Sequence, residues 1–159
     1  MLILNTGGTF NKRYNPVNGE LFVSRDEMAI EKIVATLQIN MRIQGILHKD
    51  SLEMDNEDRA TLCENIVNAK EDIVIIVHGT DTMELSAQAV RELNLGKRVV
   101  FTGAMIPFAI DPLEATANLA MAIGYAKHAK NGVYIVMQGV CGEYDTIIKN
   151  KVAGKFEYV

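Results

Sequence analysis

The sequence predicts an α/β protein, a three-layer sandwich around a mostly parallel, Rossmann/flavodoxin-like sheet. Three observations carry this. Short apolar runs alternate with amphipathic stretches along the chain. Runs such as Ile73-Val74-Ile75-Ile76-Val77 are apolar at every position, not at every second one, as strands covered on both faces are. Helix-start signals follow them in turn. Five strands linked by helices through right-handed crossovers then place helices on both faces of one sheet.

The first strand is expected at Leu2–Asn5. It runs into Thr6-Gly7-Gly8-Thr9, a turn whose glycines let the backbone approach a neighbour closely or take positive φ. Asn11–Phe22, with Pro16 and Asn18-Gly19, reads as a hairpin or flap beside that turn. Ser24-Arg25-Asp26-Glu27 has capping-box spacing and is expected to open the first helix, with Ile30, Ile33, Val34 and Leu37 on one face. Arg42–Leu47 is the second strand. Asp55 opens the second helix, with Leu62, Cys63, Ile66 and Val67 inward. After the third strand, Ile73–Val77, the Asp81-to-Glu84 spacing opens a third helix with Leu85, Ala89 and Leu93 inward. Arg98–Thr102 is the fourth strand. The apolar loop Met105-Ile106-Pro107-Phe108 after it reads as either core or a subunit contact, with a contact favoured. Asp111-Pro112 opens a fourth helix running through Leu113, Ala117, Ala120, Met121 and Gly124. Lys127, His128 and Lys130 complement its last turn, and Asn131-Gly132 ends it. Val133–Gln138 is the fifth strand. The polar tail beyond has no evident place in the sheet.

A chain of 159 residues that is 48% hydrophobic suits one domain with a sizeable core and excludes a disordered chain. The net charge of −4 comes from interspersed charges of both signs, with no basic stripe, so no nucleic-acid partner is expected. No apolar run is long enough to span a membrane, and the N-terminus lacks a basic n-region, so a cytoplasmic location is expected. Cys63 and Cys141 lack metal or redox-motif spacing, and His48, His78 and His128 stand far apart, so no metal is expected.

Two segments carry chemistry, Asn5-Thr6-Gly7-Gly8-Thr9 and His78-Gly79-Thr80-Asp81-Thr82-Met83-Glu84. Each follows a buried strand at the sheet edge where α/β proteins bind ligands. The first is neither a P-loop nor a G-x-G-x-x-G dinucleotide turn. The second has two readings. Asp81 or Thr82 caps the third helix and Thr80 is turn chemistry only. Alternatively, Thr80 is a nucleophile or proton-relay hydroxyl at a helix N-terminus whose N–H groups hold an oxyanion. Such a hydroxyl needs a base or cation nearby, for which Lys149 and Lys151 in the tail are candidates.

These two segments resemble the hallmark motifs of bacterial-type L-asparaginases and glutaminases, and the resemblance covers essentially the whole chain. Asp50-Ser51-Leu52-Glu53-Met54, Thr102-Gly103-Ala104-Met105 and the tail Lys149-Asn150-Lys151-Val152-Ala153-Gly154-Lys155-Phe156-Glu157 sit where further family segments fall. The match is to the larger N-terminal domain, so residues 1–159 are expected to form that single domain, as in short stand-alone asparaginase-domain proteins. The family's smaller C-terminal domain has no counterpart in this sequence. The resemblance implies that Thr9 is the nucleophile, that Tyr14 on the flap assists it, and that Thr80, Asp81 and Lys149 form a second catalytic cluster, with Lys151 as the alternative lysine. It implies that Gly8, Ser51, Leu52, Gly79 and Asp81 contact substrate, with Ser51 on its carboxylate and Asp81 on its ammonium. The family's usual glutamine is replaced by Leu52, which removes a polar contact. The implied reaction is hydrolysis of a small-molecule carboxamide through an acyl-enzyme, without metal or organic cofactor, in a homodimer or higher homo-oligomer. A binding or sensing module and a component of a larger amidase or amidotransferase are the alternatives.

Overall fold

The computed structural model describes residues 1–159. Its central sheet contains β1 (Leu2–Gly7), β4 (Arg42–Lys49), β5 (Ile73–Val77), β6 (Arg98–Thr102), β7 (Gly132–Met137) and β8 (Val140–Glu143), in the spatial order β4-β1-β5-β6-β7-β8. The first five are parallel and β8 is antiparallel to β7 at one edge. All five expected strands are present within two residues of their expected ends. Two hairpins lie outside this sheet: β2 (Lys12–Tyr14) with β3 (Leu21–Val23), and β9 (Ile147–Asn150) with β10 (Lys155–Tyr158). The first is the expected flap.

Alternation along the strands feeds two cores, one on each face of the sheet. Val74 and Ile76 of β5 join Leu62 and Ile66 of α2 (Asn56–Asn68) and Met83, Ala87 and Val90 of α3 (Met83–Glu92). Ile75 and Val77 join Ile30 and Ile33 of α1 (Met28–Thr36) and Leu119, Ala122 and Ile123 of α4 (Pro112–His128). Each of the buried valine, leucine, isoleucine and methionine side chains here contributes roughly 1.5–3 kcal/mol, and the alanines less. The three-layer architecture follows directly from this two-sided burial.

The expectation of uniformly right-handed crossovers is corrected. β1 leads through α1 to β4 on its left; β5, β6 and β7 then follow on the right, through α2, α3 and α4. Because α1 lies on the opposite face from α2 and α3, those three connections share one hand. The α4 helix moves in the same direction as α2 and α3 but packs with α1, so β6-α4-β7 has the opposite hand. With the common hand being the right-handed one, this crossover is left-handed. Its leading loop passes toward the first motif: the Phe108 N–H donates to Phe10 O at 3.3 Å. Met105 and Phe108 pack against the two cores, leaving Ile106 as the exposed residue of that loop.

Helix boundaries also differ. The Asp55 capping box forms as expected. Ser24 does not cap α1, which begins at Met28; its hydroxyl donates to Asp26, whose carboxylate also accepts the Met28 N–H. The buried face of α3 is Met83, Ser86, Ala87 and Val90, with Leu85, Leu93 and, on α2, Val67 exposed. The α4 stripe is Ala115, Asn118, Leu119, Ala122, Ile123 and Ala126, and Leu113 faces out. This helix stops at His128 with Ala129 extended, so Asn131-Gly132 belongs to the entry of β7. The tail does join the fold, as β8 and the β9-β10 hairpin.

Candidate active site

β1 has β4 on one side and β5 on the other, so the crevice at the carboxyl ends of β1 and β5 is the topological switch point, where open α/β sheets bind ligands. Both motifs emerge there, since Asn5 and Val77 are register partners. Gly8 has φ 71° and ψ −173°, a region open essentially to glycine alone. A Cβ on Gly8 would lie 2.4 Å from the Gly79 Cα, and a Cβ on Gly79 would lie 2.6 Å from Ser51 Oγ. The two motif loops and the Ser51 turn therefore pack backbone against backbone, held by Gly8 N–H donating to Lys49 O. Gly8→Ala should destabilise the fold by about 3 kcal/mol, from strain plus overlap. Urea unfolding measures this; a loss below about 1 kcal/mol would show that the loops are not locked together.

The tail hairpin completes this arrangement. Ile147 and Phe156 are buried in the core and anchor it, and Phe156 N–H donates to Gln138 Oε1. This holds Lys149 inward, its side chain only 10% exposed, with Nζ donating to Thr80 Oγ1 at 2.8 Å and to Asp81 Oδ1 at 2.7 Å. Charge-assisted bonds of this kind offset the desolvation of a mostly buried ammonium. Lys151 is exposed in the hairpin turn.

The helix-cap reading of this segment is not what the structure shows. Thr82 is the N-cap residue of α3 but makes no side-chain cap bond; its hydroxyl donates to Ser51 O, while Asp81 is engaged by Lys149. The Gly79 and Thr80 N–H groups, both in buried residues, donate to no protein acceptor. Two adjacent N–H groups without a protein partner at the end of β5 are free to donate to an acceptor placed there.

Thr9 begins a 3₁₀ turn, Thr9–Asn11, and is half-buried, with its hydroxyl in no intramolecular hydrogen bond. Ser51 is buried and its Oγ accepts the Asp81 N–H. Leu52, next in the chain, is 70% exposed. Tyr14 ends β2 with its ring exposed and takes part in none of the hydrogen bonds around Lys149. The structure thus joins Gly8, Gly79, Ser51, Thr80, Asp81 and Lys149 through direct contacts, and leaves Tyr14 on the flap outside them.

Several supporting residues escaped the sequence reading. Asn5 accepts the Gly7 N–H and donates to Glu27, fixing the exit of β1. Asn118 links the ends of β6 and β7 by donating to Gly103 O and accepting from Gln138 N–H. The only available signal was a polar residue inside an apolar run. Lys12 donates to Asp50, which also accepts the Leu52 N–H. Partial burial works to raise the Asp50 pKa, but these bonds and the charges of Lys12 and Lys149 outweigh it and hold the carboxyl below its usual range.

His78 is fully buried beside Phe101. Its Nδ1 faces Gly79 O at 2.7 Å and its Nε2 faces Ser86 Oγ at 2.8 Å. A carbonyl only accepts, so Nδ1 carries the proton and Nε2 accepts from Ser86. Desolvation lowers its pKa from 6.5 to about 4, against the raising effect of the Gly79 carbonyl and with a lesser push from the Arg59 charge. The native imidazole stays neutral where the unfolded one takes a proton, so stability falls as pH drops from about 6.5 toward 4, by on the order of 3 kcal/mol. Urea midpoints at pH 7 and pH 4.5 measure this, and His78→Asn should remove most of the drop. An unchanged drop in that variant would assign it to other groups.

No set of three His, Cys, Asp or Glu side chains is gathered that could hold a metal ion. No helix is long and apolar enough to cross a membrane. Residues 1–153 match the family described as Asparaginase, N-terminal. An L-asparaginase of Thermococcus kodakarensis is 28% identical over 140 residues, covering 85% of this chain and 43% of that protein. A glutamyl-tRNA(Gln) amidotransferase subunit of Methanococcus maripaludis is 31% identical over 151 residues, covering 89% and 35%. The structure of the thermostable L-asparaginase from Thermococcus kodakarensis superposes with a TM-score of 0.85 at 25% identity, over 99% of this chain and 50% of that one. The chain spans half or less of the length of these relatives. With the parallel sheet, the two motif loops at its switch point and the match over residues 1–153, the chain belongs to the asparaginase family through that family's N-terminal domain.

Proposed function

We propose that the chain is an asparaginase-like amidohydrolase that cleaves a carboxamide and releases ammonia, using residues 1–159 as one N-terminal-type domain. The observation that carries this is the double donation of Lys149 Nζ to Thr80 and Asp81. A helix cap has no use for a mostly buried lysine brought from 68 residues away. A hydroxyl that must exchange protons does, because the cation favours its deprotonated form.

In this reading Thr9 Oγ attacks the carboxamide carbon and the carbonyl oxygen becomes the oxyanion, accepting from the Gly79 and Thr80 N–H groups. The C–N bond breaks and nitrogen leaves as ammonia, taking up the proton that the threonine gave up. Water then cleaves the ester, releasing the acid and restoring the Thr9 hydroxyl. Thr80, polarised by Lys149, relays protons, and Asp81 holds the lysine in place. Tyr14 acts only when the flap brings it to Thr9, and Ser51 contributes through the Asp81 loop that it orders. The assembly is a homodimer or higher homo-oligomer. A second reading, as one part of a larger amidotransferase, is favoured by the similarity to the glutamyl-tRNA(Gln) amidotransferase sequences.

The covalent step is tested with hydroxylamine, which captures an acyl-enzyme as the hydroxamate. The wild-type chain should form hydroxamate at the expense of acid, and Thr9→Ala should form none. Ammonia release without any hydroxamate would replace Thr9 attack by direct attack of water.

A further inference from the structure

The β9-β10 hairpin carries Lys149 but lies outside the central sheet, so whatever seats the hairpin sets where the Lys149 ammonium stands. Ile147 and Phe156 bury their side chains in the core, but apolar burial is non-directional and does not fix the height or rotation of the hairpin. Directional ties are few. Apart from Lys149 itself, residues 147–158 hydrogen-bond to the rest of the fold at two places. The Tyr158 phenol accepts the Cys141 N–H and donates to Cys141 O on β8, and the Phe156 N–H donates to Gln138 Oε1 at 2.9 Å. Phe156 is the register partner of Lys149, so the Gln138 bond acts at the level of the lysine. Tyr158 pairs with Ile147 at the open end of the hairpin.

Gln138 stands where glutamine is not the favoured residue. With Gly139 it forms the two-residue turn between β7 and β8, and the two have φ of 50° and 88°. Asparagine or glycine meets that demand at less cost. What glutamine adds is reach, and both ends of its amide are used. Oε1 takes the Phe156 N–H, and Nε2 donates to Glu114 Oε1 at 3.1 Å. Glu114, in the first turn of α4, also accepts the Met105 and Ile106 N–H groups. The Gln138 backbone is held as well, its N–H donating to the buried Asn118. A backbone strain kept in place by its surroundings points to a constraint that the residue satisfies. We propose that Gln138 is a positioning residue: it clamps the hairpin at Phe156 and so seats the Lys149 ammonium against Thr80 and Asp81, with Glu114 orienting its amide. The consequence for catalysis rests on the amidohydrolase reading of the site; the consequence for Lys149 itself does not.

Gln138→Gly removes the clamp and suits the positive φ of the turn, so the fold is kept. Lys149 is read directly by brief acetylation with N-hydroxysuccinimidyl acetate and peptide mass spectrometry, with the exposed Lys151 and Lys155 of the same hairpin as internal references. In Gln138→Gly the Lys149 rate relative to these should rise at least about fivefold, because the ammonium leaves its partners more often. On the best amide among asparagine, glutamine and simple carboxamides, kcat should fall about 10- to 100-fold with KM within about twofold, as for a loss of positioning alone. Gln138→Glu sets two carboxylates face to face and should behave like the glycine variant. Adding Glu114→Gln should return both readouts to within about threefold of wild type. The Met105 and Ile106 N–H groups both reach Oε2 of residue 114, so its Oε1 can become the amide nitrogen that donates to the new carboxylate. An unchanged Lys149 rate in Gln138→Gly, or no recovery in the double variant, overturns the clamp. A raised rate with kcat unchanged overturns its part in catalysis. A raised rate that the double variant reverses, in a chain whose wild type hydrolyses no amide, keeps the clamp and overturns the hydrolase reading.

Discussion

Lys149→Met should lower ammonia release by about 10³-fold, within the range for losing a positioned proton-transfer group, while Lys151→Met should stay within about twofold of wild type, as surface changes usually do. The contrast follows from geometry. The Lys149 ammonium is mostly buried and bonded to Thr80 and Asp81, while Lys151, two residues on, sits in the exposed hairpin turn. Methionine keeps the length and packing of the side chain and removes its charge. The stability cost should be modest, about 2 kcal/mol, because Asp81 is one-third exposed and water can take over its carboxylate. Steady-state ammonia release and urea unfolding, measured on the same preparations, separate the two effects. Equal losses from Lys149→Met and Lys151→Met would remove Lys149 from the mechanism.

Thr9→Ala and Thr80→Ala should each cost about 10³- to 10⁴-fold in kcat, but for different reasons. The Thr9 hydroxyl has no intramolecular hydrogen bond, so its loss removes the proposed attacking group without breaking a contact of the fold. The Thr80 hydroxyl accepts from Lys149, and its loss strands that cation beside Asp81 alone. Combining Thr80→Ala with Lys149→Met should therefore cost little more than either change alone, since members of one relay are strongly non-additive. Combining Thr9→Ala with either should abolish hydroxamate formation. Full additivity of Thr80→Ala and Lys149→Met in kcat would show two independent groups instead of one relay.

The strands were legible because burial on both faces writes itself as unbroken apolar runs, as at Ile73–Val77. The motif loops were legible because two glycine- and threonine-bearing turns each follow a buried strand and together resemble one family's motifs. The phase of α3 was not. Leu85 and Leu93 look like core residues, yet the exit of β5 turns them outward and places Ser86 against His78. Ser24 has the spacing of a cap but is held by Asp26, and its carbonyl by Asn11, long before the helix begins. The left-handed crossover leaves no local trace, because the hand depends on which face Ala115, Leu119 and Ile123 find after a loop of nine residues, Gly103 to Asp111. The β9-β10 hairpin is too short and polar to announce itself. It is fixed by Ile147 and Phe156 reaching the core, and that contact is what delivers Lys149 to Thr80.

The most direct test of the central claim is ammonia release from a panel of asparagine, glutamine, N-acyl amino amides and simple carboxamides. The wild-type chain is compared with Thr9→Ala and Thr80→Ala, each shown to be folded. Release from at least one amide by the wild-type chain, and its loss in both variants, is the expected result. A folded wild-type chain that releases no ammonia from any of them, or release that survives both substitutions, would contradict it.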